Sequence, residues 1–242
     1  MIRRLLTTVA TALLLAGCAG QDAPTAPTDN PRPLTADEAE RISLARFANY
    51  QRGRGVITGV IPHAGHEFHL TARVDWRDHR GYGTVHTAKP TGERQDFLLQ
   101  WTPQAVAVIP GWSGGLPDQP PDTADWRPRP LDARHNPIDA ALLMTLNLAL
   151  DRPENAQLLA QSDARWLRSE HVGDTDLMVV SGPSPASSRA TSDAAPQGRI
   201  RYWINGEGTM RRLTAPLGQH GDLVTLDLLD KDTPQIPPFT WR

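Results

Sequence analysis

Three sets of residues have types and spacings that could do chemistry. Gly111-Trp112-Ser113-Gly114-Gly115 matches the Gly-x-Ser-x-Gly pattern of a hydrolase nucleophile elbow, and a strand-like run precedes it. The elbow also needs a helix directly after the serine to set the strained turn and the oxyanion site. Here Leu116-Pro117-Asp118 leads into more prolines, so Ser113 reads as part of a glycine-rich loop, with a serine hydrolase as a lesser reading. His63, His66 and His69 invite a metal, but spacings of three put neighbours on opposite faces of a strand. With a turn at Pro62 to Gly65 they fix no ligand set and read as turn and strand-face histidines. The third set is a single residue, Cys18. One cysteine excludes an internal disulfide, a two-thiol redox pair and a multi-cysteine zinc site.

The context of Cys18 gives it another use. Arg3 and Arg4 form a basic start, Leu5 to Leu15 is apolar apart from small hydroxyls, and Leu15-Ala16-Gly17-Cys18 follows. This run resembles the lipobox of bacterial lipoproteins, whose cysteine thiol is acylated before becoming the new N-terminus. Residues 1–17 therefore read as a lipoprotein signal peptide, and Cys18 as the lipidation site. The resemblance implies a protein anchored to the cell membrane on its extracytoplasmic face. Losing Arg3 and Arg4 with the signal takes the formal charge from -2 to about -4. With 25 basic against 27 acidic residues, the chain is not a basic nucleic-acid binder.

Residues 18–33 carry the lipidated cysteine and a Pro-, Thr- and Ala-rich tether without apolar periodicity. A single domain is expected over 34–242, within the usual size for one core. Thr35 to Glu38 is a capping box, opening a helix to about Tyr50. From Gly53 the period changes to two: Phe68, Leu70, Ala72 and Val74 alternate with polar residues. Similar runs cover 55–61, 81–87, 96–101 and 105–109, separated by turn signals. Gly111 to Pro130 reads as a long irregular loop. Helices are expected over 138–150, after Asn136-Pro137, and from Pro153 to about Gln161. Strands follow at 164–171 and 176–181, then a low-complexity stretch over 183–198. Ile200 to Leu213 reads as a hairpin turning at Asn205-Gly206, and 223–229 as the last strand.

Lipobox, tether, N-terminal helix, long meander and the hairpin Arg201-Tyr202-Trp203-Ile204-Asn205-Gly206-Glu207-Gly208 together resemble the LolA-like superfamily, and within it the actinobacterial lipoproteins of the LppX and LprG kind. The resemblance covers residues from about Leu34 by order of elements, and the 111–130 and 183–198 stretches depart from it. It implies an α+β fold, an antiparallel β-sheet half-barrel wrapped around a few helices and enclosing an apolar cavity. It also implies a non-catalytic protein that binds or carries a lipid, lipoglycan or acylated ligand. Phe68, Leu70, Leu99 and Trp101, with Leu142 and Leu146 from the helix, are the expected cavity lining. No cofactor, metal or nucleic acid is expected. The alternative is a cell-envelope interaction or sensor lipoprotein on the same fold, its interior filled by its own side chains.

Overall fold

The computed structural model describes residues 28–88, 96–122, 125–184, 199–217 and 222–239. The signal peptide, Cys18, the first part of the tether and most of the low-complexity stretch lie outside the described residues.

Two meanders build one sheet. The first runs β2 (Arg54–His63), β3 (His66–Asp75), β4 (Arg80–Ala88), β5 (Asp96–Trp101), β6 (Ala105–Pro110) and β7 (Arg127–Pro130). The second runs β8 (Arg165–Val172), β9 (Thr175–Ser181), β10 (Arg201–Asn205), β11 (Met210–Leu217) and β12 (Asp222–Leu229). They join where β12 pairs with β2, with Leu226 opposite Gly59. A two-residue strand, β1 (Arg32–Pro33), adds to β8, and the order becomes β1-β8-β9-β10-β11-β12-β2-β3-β4-β5-β6-β7. Every neighbouring pair is antiparallel. The sheet does not close, since β1 and β7 are its two rims. This is the α+β, open antiparallel half-barrel expected from the sequence.

Among the described residues, three helices are packed with it. α1 (Ala36–Arg52) starts at the anticipated capping box: Thr35 Oγ1 accepts from the Glu38 N–H at 3.3 Å, and Glu38 Oε2 accepts from the Thr35 N–H at 2.9 Å. α2 (Pro137–Leu146) starts where Asn136 Oδ1 accepts from the N–H groups of Ile138 and Asp139. α2 ends four residues before the expected Leu150. Beyond Leu146 the chain turns to α1, where Asn49 donates to the Leu148 carbonyl and Arg46 to that of Asn147. α3 (Ala156–Gln161) is capped by Asn155, not opened by Pro153. Because β7 and β8 lie at opposite sides of the sheet, the connection through α2 and α3 crosses its inner face.

Alternation along the strands sends one set of side chains inward, where Ile57, Ile61, Leu70, Val74 and Val85 join α1 and α2 in a continuous core. The outer face has two separate covers. Leu167, Leu177, Val179 and Trp203 cluster over β8–β10. Tyr82, Leu98 and Ile236 cluster over β4 and β5, with Trp112, Leu116, Trp126 and Phe239 packed on them.

The structure differs from the sequence reading at three further places. Residues 29–33, read as tether, lie along the β8 rim: the Asn30 N–H donates to the Leu167 carbonyl, and Asp29 pairs with Arg168 and Arg201. Residues 127–130, read as the end of a loop, form β7. The stretch before it is held on the outer face by Arg73, which donates to the Pro117 and Asp118 carbonyls. The Asn205-Gly206 turn is a longer Asx-type loop. Asn205 Oδ1 accepts from the N–H groups of Glu207 and Thr209, and Gly208, at φ 79°, takes the left-handed position.

Candidate functional site

The inner core is filled at one place and open at another. On the filled side, Trp76 and Trp101 lie against glycines that leave them room. A Cβ on Gly55 would stand 2.5 Å from Trp76, and one on Gly81 would stand 2.0 Å from Trp101. Trp76 also donates its indole N–H to the Thr145 carbonyl at 3.0 Å, which fastens α2 to the sheet. All six residues expected to line a cavity sit in this same core. Phe68, Leu70, Leu99, Trp101, Leu142 and Leu146 are buried and brought together, and they pack against neighbours.

The open place lies between α1, α3 and the β9–β11 strands. Ile42 and Ala45 of α1 form one wall, and Leu159 of α3 another. Val180, Tyr202, Ile204 and Met210 form the floor on the sheet. The slot encloses about 30 Å³, enough for a water molecule and well short of the roughly 300–1,000 Å³ of a small-molecule site. None of the six expected lining residues borders it. On the far side of α3 it continues as a shallow groove of about 220 Å³, bordered by Asn155, Leu158, Leu159, Ser162 and Pro183. Leu158 stands there 64 % exposed.

The rim is polar. Arg46 Nη1 and Glu154 Oε1 lie 3.6 Å apart at the mouth, and the Glu154 N–H donates to the Ser43 carbonyl. The Tyr202 ring lies over Gly182, where an added Cβ would be 3.1 Å from Cε2. Burial pushes the Tyr202 phenol up to about 12, Glu154 adding to the rise and Arg46 opposing it. The lid of the slot is slight: α3 has six residues, none of them buried. The arrangement can therefore hold apolar matter in a slot rimmed by an ion pair.

The sequence carried part of this signal. Tyr202 and Ile204 alternate into the core as period two requires, and Ile42 lies on the expected apolar face of α1. Periodicity shows which side chains point inward but not where inward-pointing side chains fail to meet, so it does not single out Val180, Leu159 or Met210.

Ser113 is exposed on the outer-face loop, no helix follows it, and no hydrogen bond joins it to a histidine or carboxylate among the described residues. His63 and His66 face each other across the β2–β3 turn, and His69 pairs in register with His86. No group of three or more histidine, cysteine or carboxylate side chains converges on a metal-sized site among the described residues. No helix of the described residues is long and apolar enough to cross a membrane.

No protein-family model matches the chain, and no curated protein matches it. Solved structures do. This chain is similar in fold to LppX. That Mycobacterium tuberculosis lipoprotein shares 13 % identity over 81 % of this chain and 97 % of its own, with a TM-score of 0.44. An uncharacterized conserved protein from Thermus thermophilus is similar at 12 % identity over 81 % of this chain and 85 % of its own, with a TM-score of 0.37. The overlap with LppX is one of fold.

Proposed function

We propose that the protein is a membrane-tethered lipoprotein on the extracytoplasmic face that binds an apolar ligand, a lipid, lipoglycan or other acylated molecule, without covalent chemistry. Cys18 carries the anchor. The observation that carries the reading is the slot between α1, α3 and β9–β11, where the otherwise filled core opens toward a groove beneath an unburied helix. A chain of methylenes needs more room than the slot has, so binding displaces α3 and lets the chain run in along Ile204 and Met210. Each buried methylene contributes about 0.8 kcal/mol, so about eight of them contribute roughly 6 kcal/mol, part of which offsets the cost of moving α3. Phe68, Leu70, Leu99, Trp101, Leu142 and Leu146 form the deeper wall against which a longer chain would end.

The test is to export the protein from a host that acylates lipoproteins, extract it with organic solvent and weigh what is released. The expected result is a stoichiometric lipid, lost in Leu159→Arg with the circular dichroism unchanged. An intact-mass measurement on Cys18 tests the anchor separately. Wild-type protein that releases nothing ends the carrier reading.

A second reading is favoured by one observation. The six deep residues are packed and the slot is small, as expected of a cell-envelope interaction lipoprotein whose interior is filled by its own side chains. Empty wild-type protein whose stability does not change on adding lipid supports it.

A further inference from the structure

A second concavity lies at the C-terminal end of α1. It encloses about 500 Å³, inside the roughly 300–1,000 Å³ range of small-molecule sites. Three chain segments build it: the α1–β2 junction with Arg52 and Arg54, the β3–β4 turn with Asp75, Arg77 and Asp78, and the tail from Asp230 to Gln235. Unlike the apolar slot, its walls are charged, with four cations and four carboxylates.

Across the groove these charges pair loosely, while Asp78 is held by Arg80 and Asp230 also lies 3.5 Å from Arg211. Arg52 and Asp230 lie 3.6 Å apart, and Arg54 and Asp75 lie 3.4 Å apart, beyond the roughly 2.7–2.9 Å of a charge-assisted hydrogen bond. Arg32 and Glu38, elsewhere in the molecule, reach 2.7 Å. Lys231 and Asp232 are exposed at the groove and form no ion pair among the described residues. Asp75 gives the groove a fixed negative point: its side chain is 6 % exposed, and its Oδ1 accepts from the Asp78 N–H at 3.1 Å. Arg77 is likewise fixed, donating to the Gln51 carbonyl at 3.0 Å.

A simple anion or cation entering here meets charges of its own sign. A compact solute with both signs meets complementary ones at each end, displacing water from groups that are loosely paired. We propose that this groove binds a small zwitterion, an ammonium group with a phosphate or carboxylate a few bonds away. The ammonium lies against Asp75, Asp230 and Asp232, and the anionic end against Arg77 and Lys231. The site is independent of the apolar slot, so either assignment can fail without the other. The same chemistry occurs in a free solute and in the head of a zwitterionic phospholipid.

The test is a calorimetric titration of the full-length protein in non-ionic detergent with phosphoethanolamine, with ethanolamine and inorganic phosphate as single-charge controls. Saturable one-to-one binding is expected, about tenfold or more tighter than either control, a gap of about 1.4 kcal/mol. Lys231→Ala and Asp232→Asn change exposed side chains and leave the fold intact. Each is expected to weaken phosphoethanolamine about fivefold. Competition by phosphatidylethanolamine in mixed micelles assigns the site to a lipid head, and its failure to compete assigns it to a free solute. Absence of saturable heat, phosphate binding as tightly as phosphoethanolamine, or unchanged affinity in both variants overturns the proposal.

Discussion

The inner face of the sheet is mostly apolar, yet its two flanks are finished differently. Under α2, two indoles fill the space down to the glycine backbone, and one of them hydrogen-bonds the helix. Under α3, aliphatic side chains and Tyr202 leave a slot, and the covering helix buries none of its residues. The contrast teaches that the same alternating pattern yields a sealed core or an opening, depending on whether large side chains are matched by absent ones opposite. It also places movement, since a flank locked by a tryptophan hydrogen bond resists opening more than one covered by six unburied residues.

The largest way to break the contrast is on the sealed flank. Gly81→Val puts a side chain where even a Cβ would lie 2.0 Å from the Trp101 indole. We expect a loss of about 3 kcal/mol in denaturant unfolding. Unfolding that matches wild type would mean that Trp101 has another place to go.

The helix latches give a graded pair. Arg129 donates to both oxygens of Asp139, at 2.5 and 2.7 Å, and that carboxylate is fully buried. Arg129→Met removes its counter-charge and leaves only the Asp132 N–H donating to it. The expected cost is about 3 kcal/mol, because a buried charge without its partner is among the more expensive defects. The matching latch on the other rim, Arg32 on Glu38, is more exposed. Arg32→Met is expected to cost about 1 kcal/mol. Equal losses would show that the two rims hold their helices alike.

The Arg32 latch also sets a pH dependence. Hydrogen bonds from Arg32 lead the effects that lower the Glu38 carboxyl to about 2, and the Thr35 N–H adds to them. A carboxyl depressed in the folded state stabilises fully above its unfolded value of about 4.5. That contribution is lost as pH falls from there toward about 2. Wild-type stability is expected to decline across this window, and the decline to be shallower in Arg32→Met. Parallel curves would show that the Arg32–Glu38 pair does not set the acid sensitivity.

The smallest effect sharpens the open flank. Leu158→Ser changes a side chain that is 64 % exposed, so stability is expected to move by less than about 0.5 kcal/mol. Amide exchange by mass spectrometry should show α3 exchanging well ahead of α2 in the same protein. Protection of α3 equal to that of α2 would contradict the loose-cover description.

Much of the fold is legible in the sequence because its elements carry local signals. Phe68, Leu70, Ala72 and Val74 alternate as β3 requires, and Thr35 with Glu38 marks the start of α1 without any tertiary knowledge. The rims are not legible, because Arg32-Pro33 and Arg127-Pro128-Arg129-Pro130 have no apolar alternation and only their neighbours make them strands. Trp112, Leu116 and Trp126 follow no period, and what they cover is a long-range fact. The candidate site is half legible. Leu70, Trp101, Leu142 and Leu146 face inward as their spacing requires, but the void lies elsewhere, set by contacts between α3 and the β9–β11 strands that no spacing encodes.

The prolines at the rims have a consequence for how molecules meet. On β7 they alternate, at 128 and 130, on a strand that still pairs with β6, so their nitrogens take the outward positions. A strand arriving from a second molecule finds few donors on that side, and β1 offers only two residues on the other, one of them Pro33. Among the described residues, twelve strands is therefore a terminal count. Crowded copies are denied the edge-to-edge templating that turns open sheets into fibres.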